Sequence, residues 1–485
     1  MVDQVIQKIP LYEQLALEIL KQIETGTYQP GDRLPSVRGI SKQKNLSVST
    51  VMQAYQMLED RGSIEARPQS GYYVKAQRQA EFTAAEPDTI LPSIDPEHVR
   101  VDSILRRVYI DMVNPNLVQL GAALPDPDLL PTERLNRILA RLARSSNIPT
   151  NITGLPEGSI ELRTQVAQRT YMAGCALSPD DFIITAGCSE AIAISLQVVC
   201  RPGDLVAIET PTYFGILHAL ETLGLRALEI PTHPTEGISL DALGFALEHH
   251  PVRAVVVVTN YNNPMGSCMP TDNKKELVEL LTKHDIPLIE DDMNGELFFG
   301  EKRPVVAKSF DRKGIVLLMS SFSKDVSPTY RIGWLTGGRY KSDVERWKLA
   351  TTHSTAQLTQ LAIAEFLDSG GYDHHLRKIR RVYSQKVAQM AHAVLRYFPK
   401  GTRVTSPEGG YVLWVQMPDK VDSLALYQRA LKALITIVPG YLFSATPRYR
   451  NYIRLNAAYM SFSAERAIQR LGELAAELED NAAPI

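Results

Sequence analysis

Lys324 stands just past an apolar run at residues 315–319, inside Ser320-Ser321-Phe322-Ser323-Lys324, with Pro328, Arg331 and Gly333 close behind. A lysine delivered by a strand end can attack an aldehyde and hold it as an imine. An arginine seven residues on, with Ser321 and Ser323 beside it, can hold a phosphate through charge-assisted hydrogen bonds. The pattern suits an aldehyde cofactor that carries a phosphate. A single lysine after a strand is more often a solvated surface charge, so the reading depends on further groups suited to the same chemistry.

Such groups follow in order along the chain. Phe182-Ile183-Ile184-Thr185 reads as a short buried strand, and Ala186-Gly187-Cys188-Ser189 turns it into an apolar helix over residues 191–200. The first amides of that helix can cradle a phosphate. Residues 205–209 form another strand, ending at Thr210-Pro211-Thr212-Tyr213. The β-branched run at 255–258 has the composition of a strand covered on both faces, and it leads into Asn260-Tyr261-Asn262-Asn263-Pro264-Met265-Gly266. A strand at 286–289 delivers Glu290-Asp291-Asp292. After a buried strand one such acid can pair with a pyridinium nitrogen and keep it protonated, which makes the ring an electron sink. Near the end, Tyr452-Ile453-Arg454-Leu455-Asn456 sets an arginine inside an apolar strand.

Taken together, these motifs over residues 115–485 resemble the fold-type I, pyridoxal-phosphate-dependent aminotransferases. The resemblance implies pyridoxal 5'-phosphate bound as an imine on Lys324, with Lys324 and Asp291 as the catalytic pair and Asp291 on the ring nitrogen. It implies Asn263 on the phenolic oxygen, Tyr213 over the ring face, and Gly187, Cys188, Ser189, Ser321, Ser323 and Arg331 around the phosphate. Arg454 becomes the planar fork that clamps an effector carboxylate. Three positions depart from the family: Thr153 where a tyrosine is common before Gly154-Leu155-Pro156-Glu157-Gly158, Met293 and Asn294 where another tyrosine is usual, and Cys188 in place of a common serine. Losing two supporting tyrosines would weaken cofactor holding, as suits a sensor that binds reversibly.

The first 75 residues follow a different pattern. Pro10-Leu11-Tyr12 opens an amphipathic helix with Leu15, Ile19, Leu20 and Ile23 on one side, closed by Gly26. Ser36 can cap a short helix through Gln43; a turn at Asn45-Leu46 and then Ser47 lead to a second helix from Val48 to Asp60. Val51, Ala54, Tyr55 and Leu58 mark its core face, leaving Ser49, Thr50, Met52 and Gln53 outward. Gly62-Ser63-Ile64 and Gln69-Ser70-Gly71-Tyr72-Tyr73-Val74 read as two strands joined by a turn, completing a helix-turn-helix with a β wing. The segment is nearly neutral, but no acid lies between Asp32 and Glu59, while Arg33, Arg38, Lys42 and Lys44 are positive. An acid-free stretch over the two central helices is what a phosphate-facing surface requires.

This segment resembles the GntR winged-helix family through Leu34-Pro35-Ser36-x-Arg38, Ser49-Thr50-Val51, Ala54-Tyr55, Leu58-Glu59, Gly62 and Ser70-Gly71. The match implies DNA contacts from Arg38, Ser47, Ser49 and Thr50, with Ser70 and Gly71 in the wing. Val48 and Met52 stand where relatives often carry arginine, so readout would rest on hydroxyls, methyl contacts and DNA shape. A winged helix at 1–75, a linker with a docking helix (98–112) at 76–114, and an aminotransferase-like domain at 115–485 make up the arrangement of the MocR subfamily of GntR regulators. The expected fold is α/β behind the winged helix-turn-helix, a mostly parallel sheet flanked by helices, with a small C-terminal α/β subdomain from about residue 352.

That resemblance implies a regulator that senses pyridoxal phosphate, or an amino compound bound to it, and binds a double-stranded DNA operator as a homodimer. An active aminotransferase carrying a DNA-binding domain is the alternative, and a cofactor-free architectural DNA-binding protein is a third reading. With 485 residues, 44% hydrophobic content and a net charge of −2, the chain can bury several cores and has no general affinity for polyanions. Cys175, Cys188, Cys200 and Cys268 show no paired metal spacing and suit a reducing cytoplasm, with the protein on the nucleoid when it binds DNA. No metal is expected. Neither a secretion signal nor a membrane-length apolar run is apparent.

Overall fold

The computed structural model describes residues 10–24, 27–29, 31–60, 63–67, 70–75, 85–91, 96–99, 103–144 and 154–481. The chain forms two compact units, Met1–Thr83 and Ala84–Ile485.

In the first unit, helices α1 (Leu11–Glu24), α2 (Val37–Lys44) and α3 (Val48–Asp60) are followed by strands β1 (Ile64–Arg67) and β2 (Gly71–Val74). Leu15, Ile19, Ile40, Val51, Ala54, Tyr55, Leu58, Ile64 and Val74 share one core. Ser36 caps α2 by accepting from the Gly39 amide at 3.1 Å, and Asn45 ends the helix in the left-handed conformation at φ 53°. That reversal starts α3 at a new angle, and the buried Tyr55 hydroxyl donates to the Pro35 carbonyl at 2.6 Å, fixing α3 against the segment before α2. The antiparallel wing pairs Ile64 with Val74 and Arg67 with Gly71. The expected positions Gly26, Gly62 and Gln69 lie outside the described residues.

The second unit is built on a sheet whose strands run, edge to edge, Glu97–His98, Arg226–His233, Leu205–Thr210, Val252–Val257, Leu288–Asp291, Val316–Ser321, Gly333–Thr336 and Phe182–Thr185. The pairs between residues 226–233 and 316–321 are parallel, and Gly333–Thr336 is antiparallel to both neighbours. Alternate residues of one strand enter different cores. Leu205 and Ala207 face one and Val206 and Ile208 the other, which is why the strand has no polar face. Because the central strands are parallel, their carboxyl ends and the loops after them lie along one edge, where such sheets place their ligands.

The helix expected over residues 98–112 is corrected at its start. It spans Ser103–Met112, while Glu97–His98 pairs antiparallel with Ala227 and Arg226 and completes an edge of the sheet. Leu105, Val108 and Met112 of that helix belong to the core of a smaller sheet formed by Arg403–Val404, Val412–Gln416, Tyr452–Asn456 and Val438–Pro439. That core is aromatic: the buried Trp414 lies 5.1 Å from Phe443 and 5.3 Å from Tyr452, ring centre to ring centre.

Candidate cofactor site and nucleic-acid interface

The strand Val316–Ser321 ends in a tight turn that carries Lys324 into the interior. Its Nζ donates to the Ala123 carbonyl at 2.5 Å. Burial, and secondarily the charge of Arg454, lower the Lys324 ammonium to about 8. The free amine is the nucleophilic form, and at pH 7 about one lysine in ten is then free, against fewer than one in a thousand for an unperturbed side chain.

Three consecutive acids end the neighbouring strand, and the structure separates their roles. Glu290 accepts from the Thr259 hydroxyl at 2.6 Å and from the Ala307 and Lys308 amides at 2.7 and 2.8 Å. Asp292 accepts from Asn260 Nδ2 at 2.7 Å and pairs with Arg303. Asp291 accepts one backbone bond, from Met293 at 2.9 Å, and its other neighbour is the Cys188 thiol at 3.7 Å. It is buried, and desolvation pushes it up to about 6. Asp291 is thus the acid of the three with no side-chain N–H or O–H donor, and it lies beside the start of helix Cys188–Val199.

That helix begins at Gly187, with φ 89° and ψ 175°, and no side chain caps it. Arg331, itself at φ 52°, sends Nη2 to the Ala186 carbonyl at 2.8 Å and Nη1 to the Ser323 hydroxyl at 3.4 Å. Ser321 Oγ accepts from the Ser323 amide at 3.2 Å. An exposed guanidinium, two hydroxyls and uncapped amides therefore meet at one helix N-terminus, which is the chemistry of a phosphate site. Ser189 is exposed in the first turn of the helix.

Arg454 is fully buried in its strand, below the rings of Phe443 and Phe214. Nη1 donates to Asn263 Oδ1 at 3.0 Å and Nη2 to the Gly121 carbonyl at 2.5 Å, while Nε has no hydrogen-bond partner. Burial lowers this guanidinium to about 10. Tyr213 caps helix Phe214–Thr222 half-buried, with its ring against Gly215, where a Cβ would lie 2.3 Å from it. Burial raises its phenol, with the Tyr109 hydroxyl nearby as a secondary cause.

Several participants had no motif to announce them. Tyr109 reaches the site from helix Ser103–Met112, and the carbonyls of residues 121–124 are gripped by Arg454, Asn456 and Lys324. Asp325, next to the lysine, accepts from the Tyr372 hydroxyl at 2.5 Å, and its carbonyl faces His375 Nε2 at 2.5 Å, which pins the turn to helix Gly371–Tyr397. Glu209 accepts from the Val258 amide at 2.7 Å, and burial raises it to about 8. Of the departures, Met293 supplies only its amide to Asp291, Asn294 Nδ2 holds the Tyr261 carbonyl at 2.9 Å, and Thr153 lies outside the described residues.

In the first unit, Arg38 is exposed near the start of α2, with Lys42 one turn on. Ser47 caps α3: its Oγ accepts from the Thr50 amide at 3.1 Å and lies 2.8 Å from Ser49 Oγ and 2.7 Å from Thr50 Oγ1. Ser70 Oγ lies 2.6 Å from the Tyr73 hydroxyl, and Gly71, at φ 109°, sits beside the Arg33 guanidinium.

The pattern of the bacterial regulatory proteins of the gntR family matches residues 11–74, and that of the class I and II aminotransferases matches residues 119–471. The HTH-type transcriptional regulator YdcR of Escherichia coli strain K12 is 40% identical over 467 residues, which cover 96% of this chain and 99% of that protein. This chain belongs to the MocR subfamily of GntR regulators. Its subfamily relative YjiR, also from Escherichia coli strain K12, is 36% identical over 95% of this chain and 98% of its own length. The aminotransferase-like part of this MocR chain superposes with a TM-score of 0.72 on LysN, the alpha-aminoadipate aminotransferase from Thermus thermophilus, solved with N-(5'-phosphopyridoxyl)-L-leucine. The two are 28% identical, over 79% of this chain and 96% of LysN.

A MocR chain carries an aminotransferase-type domain for pyridoxal phosphate, and the residues here fit that group. A Cβ at Gly187 would fall 2.7 Å from Arg331 Nη2, so the space beside this guanidinium at the helix N-terminus exists because this residue is glycine. At the other end lies Asp291, with few donors of its own. Among the described residues no group of acids, histidines and cysteines could hold a metal ion, and no helix is long and apolar enough to cross a membrane.

Proposed function

We propose that this MocR regulator senses an amino compound with a carboxylate, captured together with pyridoxal phosphate at Lys324, and passes that event to an operator-bound winged helix. The observation that carries the reading is the convergence of Lys324, Asp291, Asn263 and Arg454 on one buried site. Bound there, pyridoxal phosphate supplies an aldehyde and an electron-withdrawing ring. Lys324 presents an amine that is easily deprotonated, and Asp291 places a negative charge where a ring nitrogen would hold its proton. Gly187, Cys188, Ser189, Ser321, Ser323 and Arg331 seat the phosphate, Tyr213 covers the ring face, and Arg454 presents its fork to a carboxylate.

In the same reading a homodimer sets two winged helices on two half-sites of double-stranded DNA, contacted by Arg38, Ser47, Ser49, Thr50 and the wing at Ser70 and Gly71. The domain boundaries are the winged helix at 1–75, the linker at 76–114 and the effector domain at 115–485. Regulation requires the ligand to bind two arrangements of the dimer with different affinity. Lys324, Asp291 and Arg454 are all retained, which also supports residual transamination as a second reading.

The test is the visible spectrum of the purified protein with pyridoxal phosphate, followed by a panel of amino acids, with operator binding measured in parallel. A band that borohydride fixes on Lys324, and that one amine shifts together with DNA affinity, supports sensing. Repeated cycles with a keto acid support the enzyme. In Lys324→Ala, DNA binding should survive and the effector response vanish; an unchanged response sinks the sensing model.

A further inference from the structure

The outward face of α3 carries no charge before its last turn and is partly apolar. Val48 is 46% exposed and Met52 52% exposed, and Ser49, Gln53 and Gln56 are exposed beside them. The positions 48, 49, 52, 53 and 56 fall on one side of a helix, opposite the buried Val51, Ala54, Tyr55 and Leu58. Helix α3 contains no lysine or arginine, and its acids, Glu59 and Asp60, stand at its end. Glu59 is engaged there, accepting from the Ala66 amide at 2.9 Å.

The hydroxyls at the start of the helix have partners of their own. Ser47, Ser49 and Thr50 hydrogen-bond one another as the cap. That leaves Val48, Met52, Gln53 and Gln56 as the side chains with reach beyond the helix surface. Their chemistry is specific. A valine or methionine on this face can contact the C5 methyl of thymine, and a glutamine can bond the N6 and N7 edge of adenine. The bidentate contact that selects guanine needs arginine or lysine, and α3 offers neither. The exposed cations Arg38 and Lys42 belong to α2, not to this face.

We infer that α3 reads an A·T core in each operator half-site, with Val48 and Met52 packed on thymine methyl groups and Gln53 on an adjacent adenine. From residue 48 to residue 53 the helix rises about 8 Å, enough for two to three base pairs. The inference rests on the reading of the first unit as a double-stranded DNA binder and adds the class of base pair that it selects.

The experiment uses the full chain loaded with pyridoxal phosphate. Bound duplexes are selected from a random pool, and the enriched sequence is then rebuilt with uracil at each thymine in turn, which removes one methyl group and leaves the hydrogen-bonding edge unchanged. The expected result is an A·T core in each half-site, with affinity falling about threefold to fivefold for each core thymine replaced. Met52→Gln, a change on an exposed face, should weaken binding to the same duplex and lose the uracil sensitivity at one core thymine, while the sensitivity at the thymine under Val48 persists. A core that requires guanine, or uracil duplexes bound as tightly as thymine duplexes, overturns the inference. A pool in which no sequence is enriched overturns the DNA reading beneath it, and the two failures are told apart by that first step.

Discussion

Arg454 Nη1 and Asn263 Oδ1 lie 3.0 Å apart. The arginine comes from a strand of the small C-terminal sheet and the asparagine from the loop after Val252–Val257, so this one bond joins the small sheet to that loop. The second arm of the fork is on a backbone carbonyl, that of Gly121. An ammonium group on a flexible stem cannot span both acceptors in this planar geometry. Arg454→Lys is therefore expected to raise the amino-acid concentration for half response about a hundredfold, since it breaks a charged pair of hydrogen bonds. The spectrum with pyridoxal phosphate alone should be kept. Titration with matched amines, with and without a carboxylate, checks it, and an equal loss for both would refute the clamp.

In the proposed function the free amine of Lys324 sets the pace of aldehyde capture, and burial lowers its ammonium to about 8. The rate of absorbance gain after mixing with pyridoxal phosphate should climb about tenfold from pH 6 to pH 7 and level off above pH 8. A lysine at its ordinary value would still be climbing at pH 9. Stopped-flow mixing across that range separates the two.

Asp291 titrates near 6 because it is buried. A carboxyl raised in this way holds its proton more tightly folded than unfolded. The stability it contributes is present below the unfolded value near 4 and is lost as pH rises through 6. Asp291→Asn removes that loss. Ligand-free Asp291→Asn should gain on the order of 2 kcal/mol over the parent at pH 7 and nothing at pH 4, while its cofactor affinity falls. Thermal melts at the two pH values read this directly, and identical melts at pH 7 would contradict it.

Gly187 occupies a backbone region open almost only to glycine, and a Cβ there would strike Arg331. Gly187→Ala adds strain of about 1 to 3 kcal/mol and displaces the guanidinium from the Ala186 carbonyl. Pyridoxal phosphate affinity, followed by absorbance titration, should fall at least about tenfold, the equivalent of roughly 1.4 kcal/mol. An unchanged titration would move the phosphate elsewhere.

The strands that carry the site were legible because a strand covered on both faces becomes an unbroken apolar run, and the residue after such a run is at the sheet edge. That locates the strand ends, while the choice of Tyr213, Asn263, Asp291 and Lys324 at or beyond them came from the motifs and the resemblance to aminotransferases. Tyr109 was not legible, because its part depends on how helix Ser103–Met112 packs on the small sheet. The carbonyls of Gly121 and Ala123 were not legible either, since every residue has one. The misjudged start of that helix has the same origin: Glu97–His98 becomes a strand only because the sheet edge at Arg226 and Ala227 accepts it. In the winged helix, Ser47, Ser49 and Thr50 showed their side of the helix but not that their hydroxyls bond one another.

Glu290 and Asp291 are adjacent in sequence, and the pleat of their strand sends them to opposite faces of the sheet, one to the amides of Ala307 and Lys308 and the other to Cys188. The site's negative charge is therefore a matter of parity. Acids stand on both sides of Asp291, so slipping the chain by one position would still bring an acid to the site, but the slip that brings Glu290 there sets Ile289 against the donors on the far face and leaves them without a carboxylate. Substitutions that preserve chain length can vary the chemistry here, whereas a single inserted or deleted residue in this strand exchanges the two faces at once.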